Sequence, residues 1–140
     1  MKDLGQLKYF LGIEVSRSKM GICLSQRKYV LDLLAETGML ACKPVDAPME
    51  MNHKLGQTEN QTAADKGCYH RLVGKLIYLS HTRPDIAYAI SVVNQFMHSP
   101  GEEHMEAVYQ ILRYLKSAPG RDLLFSKGET REIEGYTDSD

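Results

Sequence analysis

The sequence predicts an α+β protein with an N-terminal β-hairpin and helix, a long loop, a three-helix cluster and a C-terminal β-hairpin. Residues 68–97 have the apolar periodicity of two helices joined at a proline. Runs rich in strand-forming residues stand near both ends of the chain. Strands at the two ends with helices grouped between them are the layout of an α+β domain.

The central helix pair predicts the packing core of the molecule. Its first helix carries one apolar stripe, formed by Tyr69, Leu72, Val73, Leu76 and Ile77. Pro84 lacks an N–H group and cannot continue this helix, but it suits the first turn of the next one. The second helix is apolar on more than one side, so we expect the flanking segments to pack onto this pair.

The N-terminal half predicts a hairpin, a helix and a loop. Residues 7–15 and 22–25 are strand-like, and a helix is expected from Gln26, after a Ser25 cap, to Gly38. Residues 39–64 lose all periodicity, and we expect 51–64 to form a flexible loop. Asp65 is placed to cap the first central helix.

The C-terminal half predicts a third helix and two strands. Ser99 as cap, Pro100 and two acidic residues form the start signal of the helix, and Pro119 ends it. Residues 122–126 and 132–137 predict strands joined by a polar turn. We therefore divide the chain into 1–50, 51–64, 65–121 and 122–140. We expect both ends to be internal to a larger polypeptide.

Composition limits the function classes. The formal net charge is -1 and the pI about 6.5, so any contact with nucleic acid must come from local patches. The three cysteines are odd in number and widely spaced, which fits neither a disulfide scaffold nor a zinc ribbon. No apolar run is long enough to span a bilayer, and we expect an intracellular protein without a membrane partner.

Two acidic residues form the first candidate site. On a strand, Asp138 and Asp140 would point to the same face, where paired carboxylates hold Mg²⁺ in phosphoryl-transfer enzymes. The same spacing occurs at solvated acidic chain ends. The pair alone therefore leaves both interpretations open.

Basic residues form the other candidate sites. Lys8 stands near the strand segment Phe10-Leu11-Gly12, where a glycine allows another backbone to approach closely, although a simple bulge also explains it. On the predicted helices, cations with tyrosine neighbours are candidates for phosphate contact: Arg71, Lys75, Arg83, Arg113 and Lys116. Solvated helix faces and caps are the alternative interpretation for this set.

Several segments resemble a known family. They are MKDLGQLKYFLGIEVSRSKMGICLSQRKYVLDLL, CKPVDAPM, YHRLVGKLIYLSHTRPDIAYAISVVNQFMHSP, HMEAVYQILRYLKSAPGRDLLF and GYTDSD. In this order they resemble the C-terminal reverse transcriptase part of copia-type LTR retrotransposon Pol polyproteins, plant copies above all. The resemblance covers nearly the whole chain, and it is most specific in TRPDIAYA and ILRYLK.

The resemblance implies roles for some of these residues. Phe10-Leu11-Gly12 corresponds to the primer grip, and residues 1–50 to the end of the palm and the first thumb helix. Residues 65–121 correspond to thumb and connection elements, and 122–140 to the first strands of a truncated ribonuclease H-like domain. Asp138 resembles the first metal-binding carboxylate of ribonuclease H, and Asp140 matches less closely.

The departures from the family pattern imply an incomplete enzyme. The Tyr-x-Asp-Asp motif that supplies the polymerase carboxylates is absent, and so are the later ribonuclease H acids. We expect a fragment of an RNA-directed DNA polymerase that neither polymerises nor cleaves alone and binds no Mg²⁺ tightly, although the parent enzyme uses Mg²⁺. In the parent element, which also serves DNA integration, we expect this fragment to contact an RNA–DNA hybrid or a primer–template duplex. The expected location of the parent element is cytoplasmic virus-like particles or the nucleus.

Two other hypotheses stay open at this point. The chain could be a domesticated module that binds duplex or hybrid without catalysis, through Arg71, Lys75, Arg113 and Lys116. It could instead be a helical interaction protein, which the near-neutral charge favours.

Overall fold

The chain contains four α-helices among the residues that the structure, a computed structural model, describes: 8–10, 13–18, 21–56, 62–117, 119 and 123–126. They are α1 (Arg27–Glu36), α2 (Lys66–Leu79), α3 (Ala87–Asn94) and α4 (Glu102–Ser117). A short 3₁₀ turn, Pro84–Ile86, leads into α3 and has Pro84 in its first turn, as the sequence predicts. None of the described helices is long and apolar enough to cross a bilayer.

The four helices share one hydrophobic core. Helix α1 contributes Val30, Leu33 and Leu34, so it belongs to the same packed unit as the three later helices. The predicted stripe of α2 is buried almost as expected, although Ile77 remains exposed. Met49, in the segment after α1, is also buried. Packing of apolar helix faces therefore organises this domain.

The predicted α+β fold class is wrong. None of the described core residues lies in a strand; they lie in the four helices, in the 3₁₀ turn and in adjoining segments. The strand at 123–126 pairs with residues 21–24 of the N-terminal strands, a pairing that the sequence analysis did not predict. The core is accordingly built from four helices, where the sequence had predicted a three-helix cluster between hairpins.

Backbone strands outside the helical core form one antiparallel ladder. They are β1 (Lys8–Phe10), β2 (Ile13–Ser18), β3 (Gly21–Ser25) and β4 (Leu123–Ser126), in that spatial order. The strands mainly contact one another, and the helices mainly contact other helices. The predicted strand at 132–137 lies outside the described residues. The strands therefore contribute none of the described core residues.

Two hydrogen bonds hold helix α2 near its start. The Asp65 carboxylate accepts a hydrogen bond from the Cys68 N–H at 3.0 Å, which confirms the predicted cap. Near the helix start, the buried Tyr69 hydroxyl donates to the Val93 carbonyl at 2.6 Å and so ties α2 to α3. Burial raises the pKa of Tyr69 to about 12, so this donor keeps its proton at physiological pH.

Helix α4 starts differently from the prediction. It begins at Glu102, and the prediction that Ser99 caps it is wrong. The Gly101 N–H donates instead to Nδ1 of the buried His104 at 2.8 Å, and this nitrogen accepts the bond that a glutamate carboxylate accepts in a capping box. The proton therefore sits on the other ring nitrogen, Nε2, which donates to the Gly56 carbonyl at 2.9 Å. One histidine both caps α4 and anchors the preceding loop segment.

Gly74 allows a direct test of the α2 assignment. It lies mid-helix and exposed, and a Cβ added there would meet no atom within 4 Å. Gly74→Ala should therefore raise the free energy of unfolding by roughly 0.5–1 kcal/mol, since glycine is the poorer helix former. Urea unfolding followed by far-UV circular dichroism measures this change.

A second glycine variant is the matched control. Gly38 follows α1 with φ +71, a left-handed conformation that alanine adopts only with strain, so Gly38→Ala should destabilise the protein. A loss of stability in Gly74→Ala would contradict the exposed mid-helix position.

Candidate nucleic-acid interface

Two predicted cations meet one carboxylate between α1 and α2. The Arg71 guanidinium donates to Oε2 of Glu36, and the Lys75 ammonium lies 2.6 Å from Oε1 of the same side chain. We call these three residues the α1–α2 cluster. One carboxylate faces two cations, so the cluster keeps an excess of one positive charge. The Arg71 side chain is 50% exposed and that of Lys75 33%, so solvent and ligands reach both.

The exposed side of α2 is basic beyond this cluster. The helix sequence KGCYHRLVGKLIYL contains two lysines, an arginine and a histidine, and it contains no acidic residue. Lys66, His70 and Arg71 are all exposed. The protein as a whole is close to neutral, and α2 is therefore a local basic surface of the kind the composition requires for any phosphate contact.

Aromatic rings lie next to the cluster. The Tyr78 ring packs against Tyr29 of α1, with 5.2 Å between centroids, and against His81 edge-on at 5.7 Å. Burial raises the pKa of the Tyr29 hydroxyl, while the charge of the nearby Lys75 acts in the opposite direction. These rings fix the α1–α2 contact from which the cations project.

Arg83 has a different role from the one predicted. Its side chain is buried, and its Nε and Nη2 donate to the two carboxylate oxygens of Asp85 at 3.1 and 3.0 Å. The guanidinium also lies 6.0 Å from the ring centroid of Tyr114 on α4. A phosphate has no access to Arg83 in this conformation, so its contribution is to hold the joint between α2 and α3.

Asp85 connects this joint to α4. The Tyr114 hydroxyl donates to Asp85 Oδ2 at 2.5 Å. Burial raises the pKa of Asp85, but the hydrogen bonds from Arg83 and Tyr114, together with the Arg83 charge, outweigh burial and leave the pKa below its ordinary value. The ionised carboxylate is thus the form that the fold stabilises.

Thr82 connects the same joint to α1. The buried Thr82 hydroxyl donates to Oε1 of Gln26, the residue just before α1, at 2.6 Å. Thr82-Arg83-Pro84-Asp85, which we call the α2–α3 joint, therefore has polar contacts with both α1 and α4.

The two predicted cations of α4 contact other parts of the chain. Arg113 lies 4.0 Å from the Glu106 carboxylate on its own helix, and Lys116 donates to the Cys42 carbonyl at 2.8 Å. None of their described contacts joins them to the α1–α2 cluster. Glu36, in contrast, belongs to the cluster although sequence analysis missed it. It is 35 residues from Arg71 and 39 from Lys75, and no local pattern signals such a pair.

Comparisons with known proteins identify the family of the chain. Over its full length it is 46% identical to a retrovirus-related Pol polyprotein from transposon RE1 of Arabidopsis thaliana and 40% identical to the one from transposon TNT 1-94 of Nicotiana tabacum. The chain belongs to the copia-type retrotransposon Pol polyproteins. It spans only 10% and 11% of the length of those two proteins.

Other comparisons add little about activity. This Pol region is 37% identical, over its full length, to an uncharacterized mitochondrial protein of Arabidopsis thaliana, of which it spans 58%. No family model matches it, and no solved structure matches it. The predicted resemblance to copia-type Pol polyproteins is confirmed, and the assignment to a particular enzyme within Pol stays a prediction.

The remaining candidate residues of this Pol region stay predictions. The structure describes only the backbone of Lys8 and Phe10, both in β1. Leu11, Gly12, Asp138 and Asp140 lie outside the described residues. Within the described part of the chain, no group of three histidine, cysteine, aspartate or glutamate side chains could hold a metal ion.

A cavity of about 280 Å³ lies between α4 and the segment before residue 56. Its lining mixes Lys54 and Arg113 with Glu50, Glu103 and Glu106. With two cations and three carboxylates, it has no positive excess that would attract a phosphate. The α1–α2 cluster is therefore the better candidate for an anion.

Low pH should lower the free energy of unfolding of this Pol region because Asp85 becomes protonated. Because the pKa of its carboxyl is lowered by folding, its contribution to stability is complete above the ordinary value of 3.8 and is lost as the pH falls below it. Tyr114→Phe removes one of the hydrogen bonds that lower the pKa. It should lower the free energy of unfolding by roughly 1–2 kcal/mol at neutral pH. The loss of stability as the pH falls should then be smaller than in the unmodified chain. Urea unfolding at a series of pH values measures both effects.

The control for this experiment is Tyr109→Phe. Tyr109 is on the same helix, partly buried against the core, and makes no described hydrogen bond through its hydroxyl. Equal stability and equal pH dependence of the two variants would contradict the Asp85–Tyr114 bond.

Proposed function

We propose that this Pol region is the thumb and connection part of a retrotransposon reverse transcriptase, and that it holds the primer–template duplex without a complete catalytic site of its own. The observation that carries the proposal is the exposed pair Arg71 and Lys75 on a helix without acidic residues, in a chain related over its whole length to Pol polyproteins. Cations on such a face contact phosphates without reading the base sequence.

The packing of the helices supports a holding role. Arg71 and Lys75 project from α2, which contributes Tyr69, Leu72 and Val73 to the core. Cations on a well-packed helix keep a fixed spacing, so they bind a regular duplex backbone with little loss of conformational entropy. A rigid basic surface of this kind binds a duplex by its shape and charge.

The sequence supports the absence of a complete active site. The Tyr-x-Asp-Asp motif of this family does not occur in these 140 residues. Phosphoryl transfer to DNA requires carboxylates that hold two divalent metal ions. We therefore assign DNA synthesis and RNA cleavage to parts of Pol outside this chain, and the Mg²⁺ ions with them.

Hybrid binding is the direct test of this function. The chain should bind a short RNA–DNA hybrid at low salt, and binding should weaken as salt rises because phosphate contacts release counterions. Arg71→Ala/Lys75→Ala should weaken binding about tenfold and reduce the salt slope by about 1 to 2. Fluorescence anisotropy of a labelled hybrid at several salt concentrations gives both quantities.

The matched control removes the same charge elsewhere. Lys43 and Lys54 are exposed residues of the segment between α1 and α2, outside the cluster. Lys43→Ala/Lys54→Ala should bind the hybrid within about twofold of the unmodified chain. Equal losses in the two double variants would refute a role for the cluster, and primer extension by the isolated chain would refute the lack of a complete catalytic site.

A further inference from the structure

Glu36 is held by two cations at once. Each of its carboxylate oxygens meets a different cation, Oε2 the Arg71 guanidinium and Oε1 the Lys75 ammonium. A phosphodiester presents the same feature, two terminal oxygens that share one negative charge. Two cations arranged around one bidentate anion therefore form a site for either group.

We propose that Arg71 and Lys75 form a binding site for one backbone phosphate of the nucleic acid, and that Glu36 fills this site in the free chain as an internal competitor. The inference rests on the proposed function and goes beyond it, because it identifies the group that must leave before the duplex binds. The exchange replaces one anion by another, so both cations stay paired throughout.

The contact with Glu36 is of the kind that a ligand displaces easily. The Glu36 side chain is 34% exposed, and solvent-exposed ion pairs contribute little to stability. Losing this pair leaves α1 in place, since Val30, Leu33 and Leu34 keep it on the core. Glu36 is thus free to turn toward solvent while the helix pair remains packed.

The surface beside the two cations is open at Gly74. Gly74 lies one residue before Lys75 and three after Arg71, and a Cβ at this position would find nothing within 4 Å. The helix surface next to Arg71 therefore carries no side chain at Gly74. A sugar-phosphate backbone approaches such a surface more closely than one covered by a side chain.

Removing the Glu36 charge should strengthen binding of the hybrid. Glu36→Gln keeps the size of the side chain but no longer competes for the two cations. We expect it to bind a short RNA–DNA hybrid about threefold to tenfold more tightly at low salt, with a salt slope steeper by about 1. Fluorescence anisotropy measures both, and circular dichroism verifies that the variant is folded.

Asp32→Asn is the matched control. Asp32 is an exposed acid on the same helix, four residues earlier, and its partner is Lys28 rather than the cluster. The substitution Asp32→Asn changes the net charge by the same amount as Glu36→Gln, so it reports the general effect of charge on binding. We expect its affinity to stay within about twofold of the unmodified chain.

A triple variant isolates the competition. In the Arg71→Ala/Lys75→Ala background the phosphate site is gone, so Glu36→Gln should no longer tighten binding. Equal affinities for Glu36→Gln and Asp32→Asn would overturn the inference, as would tightening in the triple variant. The proposed function would survive either result if Arg71→Ala/Lys75→Ala still weakens binding. If the unmodified chain fails to bind the hybrid at low salt, the proposed function itself fails.

Discussion

The ion pair between the buried Arg83 and the partly buried Asp85 is the contact on which the arrangement of the helices depends. Burying a guanidinium is costly unless a carboxylate pairs with it and further hydrogen bonds satisfy that carboxylate. Asp85 meets this need, and Tyr114 on α4 donates the additional bond. Because Thr82 in the same joint donates to Gln26 just before α1, one short segment contacts α4 and the start of α1 while it links α2 to α3.

Local patterns predicted much of the helical structure. The apolar stripes, the Asp65 cap and the place of Pro84 all depend on residues close in sequence, where periodicity and capping chemistry are readable. The same reasoning misjudged Arg83, because a basic residue beside a proline gives no sign that it is buried. It also missed the cap of α4, where a histidine takes the part of the usual glutamate.

Long-range partners were beyond sequence reasoning. The strand at 123–126 was recognised from its residue types, but its partner at 21–24 lies before all four helices in the chain. Glu36 meets Arg71 and Lys75 across a similar separation. A single sequence shows which residues suit a strand or a charged surface, while their pairing depends on the fold.

The proposed function agrees with the charge distribution. A chain with net charge -1 has no general attraction for phosphates, so a basic helix with an internal competitor limits binding to a ligand that offers several phosphates in the right geometry. A surface of this kind suits a part of Pol that positions a duplex for active sites located elsewhere. The relationship to Pol polyproteins and the geometry of the α1–α2 cluster thus support the same assignment.

Amide hydrogen exchange would test the dependence of the fold on the α2–α3 joint most directly. In Asp85→Asn, Arg83 loses its ionised partner, and we predict that protection falls together in α1, α2, α3 and α4, because all four depend on this joint. A fall confined to α3 and α4, with α1 and α2 as protected as in the unmodified chain, would contradict the account.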